Sequence, residues 1–320
     1  MSGQYTVSFA PHLYDKSSTR GIMADVVIAL LPSLAAAILV FGWRAALLTG
    51  VCVLSCLVFE GLFQIIVKKP VTVFDFSAVI TGMLLAFNLP VGLPLWQAIF
   101  GCFVAIVLVK QLFGGLGKNF ANPALTARIV LFLTFTASMT VWVPVQDVIV
   151  STGASPQVTD TLTSATPLRI MHNGDMHLLP SLWEMFIGLR GGCLGETSAL
   201  ALLLGGLYLI VRRVITWHIP VSFMASVLIF SFLFGVDPLY HLLAGGLFLG
   251  AIFMATDYVT SPQTARGRLI FGASCGIITM IIRVFGNYPE GVSFAILFMN
   301  MLVPYINRLT IPRALGVMKP

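Results

Sequence analysis

Residues 22–41 run for twenty positions with one charge, Asp25, and nine more apolar stretches follow at short intervals. They lie near 45–67, 76–89, 95–113, 124–142, 196–211, 221–234, 239–256, 269–285 and 292–306. A helix of about 20 residues crosses a hydrocarbon core of ~30 Å, because it closes its backbone hydrogen bonds within itself. The pattern predicts an all-α integral membrane protein of about ten transmembrane helices. Several stretches are short for the task, which predicts tilted or broken helices. A soluble globule is excluded, since 58% hydrophobic and 9% charged residues exceed what one core can bury. Disorder does not fit 11% aromatics, and a β-barrel would alternate in short segments.

Charge then sets sidedness. With the N-terminus placed inside, Lys16, Arg20, Lys68, Lys69, Lys110, Lys118, Arg128, Arg212, Arg213, Arg266, Arg268, Arg308, Arg313 and Lys319 fall on the inner side, and Arg44, Arg169, Arg190 and Arg283 on the outer, 14 against 4 of the 18 cations. The excess of cytoplasmic cations in membrane proteins predicts both termini inside and the polar stretch 144–180 outside. The net charge of +6 is read as this bias, with no nucleic-acid partner. Residues 1–20 are polar and show no short apolar core of a signal peptide. Cys52, Cys56, Cys102, Cys193 and Cys275 lie mostly in apolar runs. They read as small buried side chains, and no metal site is expected.

Five stretches precede the polar segment and five follow it. Gly114-Gly-Leu-Gly-Lys-Asn-Phe-Ala-Asn-Pro123 precedes the fifth of the first half, and Gly286-Asn-Tyr-Pro-Glu-Gly291 the fifth of the second. Asn88-Leu-Pro-Val-Gly-Leu-Pro94 and Asp257-Tyr-Val-Thr-Ser-Pro262 follow the third of each. Five spans are an odd number, so a second copy must be inverted. Inverted repeats with matched Gly/Pro breaks build sites near the midplane; unrelated turns between spans are the alternative. The expected division is an inner segment 1–20, a first repeat 21–143, an external loop 144–182, a second repeat 183–307 and an inner tail 308–320.

The external loop ends in Asp160-Thr-Leu-Thr-Ser-Ala-Thr-Pro-Leu-Arg169. Pro167 fixes the backbone beside Thr166 and leaves a hydroxyl open to modification, with Arg169 able to pair a phosphate. On residues alone a Ser/Thr-rich loop of this kind reads as simply solvated. Asp160, Thr163, Ser164, Ala165 and Thr166 resemble the flavinylation motif D-x-x-[ST]-G-A-[TS], with Ser164 in place of glycine. Gly195-Glu-Thr-Ser-Ala-Leu200, Phe253-Met-Ala-Thr-Asp-Tyr-Val-Thr-Ser-Pro262 and Tyr288-Pro-Glu-Gly-Val-Ser-Phe-Ala-Ile-Leu297, with the Gly114 segment, resemble the NqrB/RnfD family of membrane electron-transfer subunits nearly end to end. The short polar start resembles the RnfD branch.

The resemblance implies a multi-pass subunit of a prokaryotic inner-membrane Rnf complex, relaying electrons between ferredoxin and NAD⁺ while Na⁺ or H⁺ is translocated. It implies FMN esterified through its phosphate to Thr166 by a flavin transferase, with other Rnf subunits as partners. It also implies a second, non-covalent flavin, riboflavin or FMN, placed at Asn119 and Asn122. The chain alone holds no complete active site. Arg169 and Arg190 are candidate phosphate partners. Glu196 and Thr197, at the start of an apolar helix, are candidates for ligand contact or for capping. Asn119 and Asn122 could equally cap a glycine turn. Asp25 and Glu60 assist ion passage or pair with neighbours. An inverted-repeat secondary transporter without a redox cofactor is the competing reading, and the Asp160–Thr166 motif is what such a transporter does not need.

Overall fold

The computed structural model describes residues 18–142, 166–173, 177, 179–188, 190–286 and 290–312, all helix and connecting turns apart from one isolated bridge, Pro90 to Cys193. Asp160, Thr163, Ser164 and Ala165 lie outside the described residues.

Two long helices begin the bundle, α1 (Thr19–Phe41) and α2 (Trp43–Ile66), joined at Gly42 with φ 69°. Ser18 caps α1, its hydroxyl accepting from the Gly21 N–H. Next come α3 (Ser77–Phe87), α4 (Leu95–Gln111), α5 (Pro123–Thr134) and the short α6 (Thr136–Met139). The second half of α4, Val104–Gln111, is a π-helix. Next among the described residues are α7 (Pro167–Asn173) and α8 (Leu182–Ile187). They are followed by α9 (Ala199–Val211), α10 (His218–Leu233), α11 (Pro238–Leu243), α12 (Leu247–Leu249), α13 (Ala265–Phe285) and α14 (Val292–Thr310). The π-helix Gly250–Met254 continues α12.

Among the described residues four helices are long and apolar enough to cross a membrane alone: α1, α2, α13 and α14. The apolar helices α3, α4, α5, α9 and α10 are shorter. The stretch expected at 239–256 is not one helix: Ala244 leaves helical geometry, and Gly245 and Gly246 take φ of 64° and 59°. The stretch at 124–142 likewise breaks at Phe135. Both breaks follow from backbone conformations that residue-by-residue hydrophobicity does not register.

Close packing relies on small residues, as it does where helices meet without a hydrophobic gain over lipid. Gly272 and Gly276 on α13 face Ser222 and Ser226 on α10; a Cβ on Gly276 would sit 2.7 Å from the Phe223 carbonyl oxygen and 2.2 Å from the Ser226 hydroxyl. Elsewhere α1 packs on α9 and α2 on α3 and α4, around a core that includes Leu30, Leu48, Phe87, Ile106, Phe223 and Phe271.

Candidate functional site

Polar chemistry collects in three places. The first is a charge cluster in the middle of the bundle. Arg128, on α5 and 6% exposed, reaches into both halves of the chain. Its Nη1 donates to Asn88 Oδ1 at 3.1 Å and Ser293 Oγ at 2.6 Å. Its Nη2 donates to Glu290 and lies 3.5 Å from Glu196 Oε1. Arg190 donates to the Glu196 carbonyl at 2.7 Å. Arg283 donates to the carbonyls of His241, Ala244 and Gly245 at 2.5, 2.8 and 3.2 Å. Three buried cations face two carboxylates, Glu196 and Glu290, which leaves one positive charge in excess when all are ionised. Burial on this scale is sustained only by pairing.

Glu196 does not open a helix, as the sequence suggests it should. It ends a short 3₁₀ turn, Leu194–Glu196, and Ser198 caps α9 by accepting from the Ala201 N–H at 3.2 Å. Capping therefore does not account for Glu196, whose Oε1 lacks a hydrogen-bond partner among the described residues and whose contact with Arg128 is ionic. Thr197 is buried and donates to the Leu194 carbonyl at 3.1 Å. The turn is pressed onto the end of α3: a Cβ on Gly195 would fall 2.4 Å from Phe87 Cβ, and the Leu194 N–H donates to the Leu89 carbonyl at 3.2 Å. A Cβ on Gly246 would fall 2.6 Å from Glu196 Oε1, so only glycine leaves that oxygen its place.

The second place is Thr166. It immediately precedes α7 and is only 7% exposed, less open than the loop hydroxyl that the sequence predicts. Its Oγ1 accepts one long bond, 3.4 Å, from the Arg169 N–H. The Arg169 side chain is exposed. Leu168 docks α7 onto Met185 and Ala244, and a Cβ on Gly245 would meet Leu168 Cδ1 at 2.2 Å and Arg283 Nη2 at 3.0 Å. Arg283 and Leu168, two residues after the threonine, thus meet at the Gly245 turn. Sequence reasoning places Arg283 among the external cations without singling it out, because only the Gly245 turn brings it there.

The third is a cavity of about 100 Å³ that opens to solvent. Lys110, Ser77, Asn119, Asn122, Phe253 and Asp257 are among its walls. The two asparagines differ. Asn122 caps α5, accepting from the Ala124 and Leu125 N–H groups at 3.0 and 3.3 Å, and donates to the Met254 carbonyl at 3.4 Å. The buried Oδ1 of Asn119 has no partner among the described residues. Burial pushes the Asp257 carboxyl up, while the Thr260 hydroxyl and Val259 N–H pull it back. Asn122→Ala is expected to lower stability by about 1 kcal/mol through the lost cap, read as an earlier unfolding midpoint in detergent.

Both acids left open by the sequence are paired. Asp25 accepts from Arg212 Nη2 at 3.1 Å and the Tyr208 hydroxyl at 2.9 Å. Glu60 is bound by Lys110 at 2.8 Å and by Gln111 at 2.7 Å. Lys110, Arg128, Arg190 and Arg283 are all buried, so they cannot mark loops. Without them the sequence count is 12 against 2.

The chain matches the NQR2, RnfD, RnfE family over residues 6–316. It is 50% identical to the D subunit of the Na⁺-translocating ferredoxin:NAD⁺ oxidoreductase complex of Acetobacterium woodii, covering 98% of this chain and 96% of that one. It is 38% identical to the D subunit of the proton-translocating ferredoxin:NAD⁺ oxidoreductase complex of Clostridium ljungdahlii, covering 98% and 96%. It is 40% identical to the D subunit of the ion-translocating oxidoreductase complex of Stutzerimonas stutzeri, covering 94% and 93%.

Proposed function

The chain belongs to the NQR2, RnfD, RnfE family, and from that premise we propose that it is the D subunit of an ion-translocating ferredoxin:NAD⁺ oxidoreductase, carrying FMN on Thr166. In this reading it crosses the inner membrane about ten times in two inverted repeats, with both termini inside and the Thr166 segment outside. The observation that carries the reading is the threonine itself. Its hydroxyl holds one long hydrogen bond, and Leu168, two residues on, meets Arg283 of a buried cluster with one positive charge in excess, a setting that suits a phosphoester and an electron-accepting ring.

Bound flavin supplies one- and two-electron redox chemistry; the protein sets its position and potential. Arg283 and Arg190 hold positive potential in the cluster, each fixed by backbone carbonyls. Arg128 pairs with both Glu196 and Glu290 and so offsets their charge within the cluster. The cavity takes the second, non-covalent flavin, riboflavin or FMN: Asn119 offers an unpartnered oxygen to a ring N–H, and Asn122 fixes the wall opposite Met254. Relatives are named for Na⁺ and for H⁺ translocation, and a transport assay reads the coupling ion. The transporter reading has no comparable observation in its favour.

Co-expression with a flavin transferase tests the covalent link. The denatured subunit is expected to fluoresce under ultraviolet light in a gel, and Thr166→Ala to abolish that signal while the protein still inserts. A dark wild-type band under these conditions would overturn the assignment. For the second flavin, Asn119→Leu should leave the fold intact, since its oxygen has no bond to lose, and should reduce acid-released flavin by roughly tenfold or more. Unchanged release would remove Asn119 from the site.

A further inference from the structure

Lys110 is 1% exposed and forms part of the cavity wall. Its ammonium is fully engaged: Nζ lies 2.8 Å from Glu60 Oε1 and donates to Glu60 Oε2 at 2.9 Å and to Ser77 Oγ at 2.6 Å. Gln111 holds Glu60 from the other side. An ion pair that only tied α2 to α4 would end there. This one continues, because Ser77 passes its own hydrogen onward to Asp75 Oδ1 at 2.5 Å. Asp75 is half-buried, at the end of the 3₁₀ turn Val73–Asp75 that follows Lys68 and Lys69. Its oxygen is held by the Ser77 N–H as well, at 2.8 Å. The donors point from Lys110 to Ser77 to Asp75, an unbroken wire that carries a proton inward only once Lys110 is neutral and the Ser77 hydroxyl turns to donate to its nitrogen.

We propose that Asp75, Ser77 and Lys110 form a proton path from the membrane face into the cavity, with Lys110 as the group that gives the proton to a reduced ring bound there. The proposal rests on the cavity holding the second flavin. In the delivery step Lys110 loses one proton to a basic ring atom and becomes a neutral amine; the electron comes from the ferredoxin side of the complex. Asp75 takes a proton from water, the Ser77 hydroxyl turns to donate to the neutral Lys110 nitrogen, and Ser77 then gives its hydroxyl proton to Lys110 while taking the one on Asp75. Asp75 is left as carboxylate, as it began. Glu60 keeps the amine in place throughout and, among the described residues, is the one charged group bonded to it, Gln111 being neutral. The hydroxyl of Ser77 is the one link that carries no charge, so it can be removed without stranding an ion.

The test uses the assembled complex and three forms of this subunit: wild type, Ser77→Ala and Ser77→Thr. Acid-released flavin is quantified first, and reduction of the non-covalent flavin by reduced ferredoxin is then followed by stopped-flow absorbance in H₂O and D₂O. Ser77→Ala is expected to keep its flavin, to slow that reduction phase by roughly 10²-fold, the scale of a lost proton donor, and to show a larger solvent isotope effect. Ser77→Thr, which keeps the hydroxyl, should restore the rate. Wild-type kinetics in Ser77→Ala, or a Ser77→Thr rate as slow as that of Ser77→Ala, would overturn the path while leaving the cavity assignment standing. Absence of acid-released flavin from the wild-type complex would overturn the cavity assignment, and the path with it.

Discussion

Arg128→Met is expected to cost about 3–5 kcal/mol and to abolish recovery of the assembled complex. The scale is that of breaking a buried ion pair by removing one partner. Methionine fills much of the volume but leaves Glu290 and Glu196 without their cation and the oxygens of Asn88 and Ser293 without a donor. These groups come from the end of α3, the turn before α9 and the start of α14, so the loss unfastens the two halves from each other rather than loosening one helix. Arg128→Lys should recover part of the stability, since an ammonium restores charge but cannot fork across four partners. Combining Arg128→Met with Glu290→Gln should also recover part, by removing one stranded carboxylate. Unfolding in detergent followed by tryptophan fluorescence reads all three. An Arg128→Met protein as stable as wild type would show that the cluster is not ionised as drawn.

Gly276→Leu should separate α10 from α13 and cost at least the 1–3 kcal/mol typical of an overpacked contact. The clash is with backbone as well as side chain. The Phe223 carbonyl lies 2.7 Å from where a Cβ must go, and Ser226 cannot rotate freely because its hydroxyl donates to the Ser222 carbonyl at 2.7 Å. Gly276→Ala should sit between, and Gly50→Ala, where nothing lies within 4 Å, should fall within about 0.5 kcal/mol of wild type. Equal midpoints for Gly50→Ala and Gly276→Leu would contradict the close α10–α13 contact.

Much of the architecture is written in local sequence. Apolar runs locate the helices, and Asn88–Pro94, Gly114–Pro123 and Asp257–Pro262 mark real interruptions, because proline and glycine act on the backbone where they stand. The buried ions are a different matter. Position along the chain assigns Lys110 and Arg128 to an inner loop face, yet Lys110 meets Glu60 at a separation of 50 residues and Arg128 meets Glu290 at 162. No local pattern encodes such pairs. The site is legible to a similar depth. Thr166, Glu196 and Asn119 stand out as residue types in unusual company. Which asparagine caps and which is free depends on where α5 begins, and Arg283 reaches Thr166's neighbourhood only through the Gly245 turn. The Gly272/Gly276 and Ser222/Ser226 spacings are present in the sequence but carry meaning only once the two helices are known to face each other.

The 162-residue separation between Arg128 and Glu290 also bears on how the chain is made. At about 5–20 residues per second, roughly 8–32 seconds of synthesis separate the two. For that interval α5 has left the ribosome and its guanidinium has no carboxylate from Glu290, while an arginine at a helix centre costs about 2.5–3.5 kcal/mol to insert. Until residue 290 is made, Arg128 lacks the Glu290 carboxylate that pairs it, so this tie between α5 and the start of α14 forms late in synthesis.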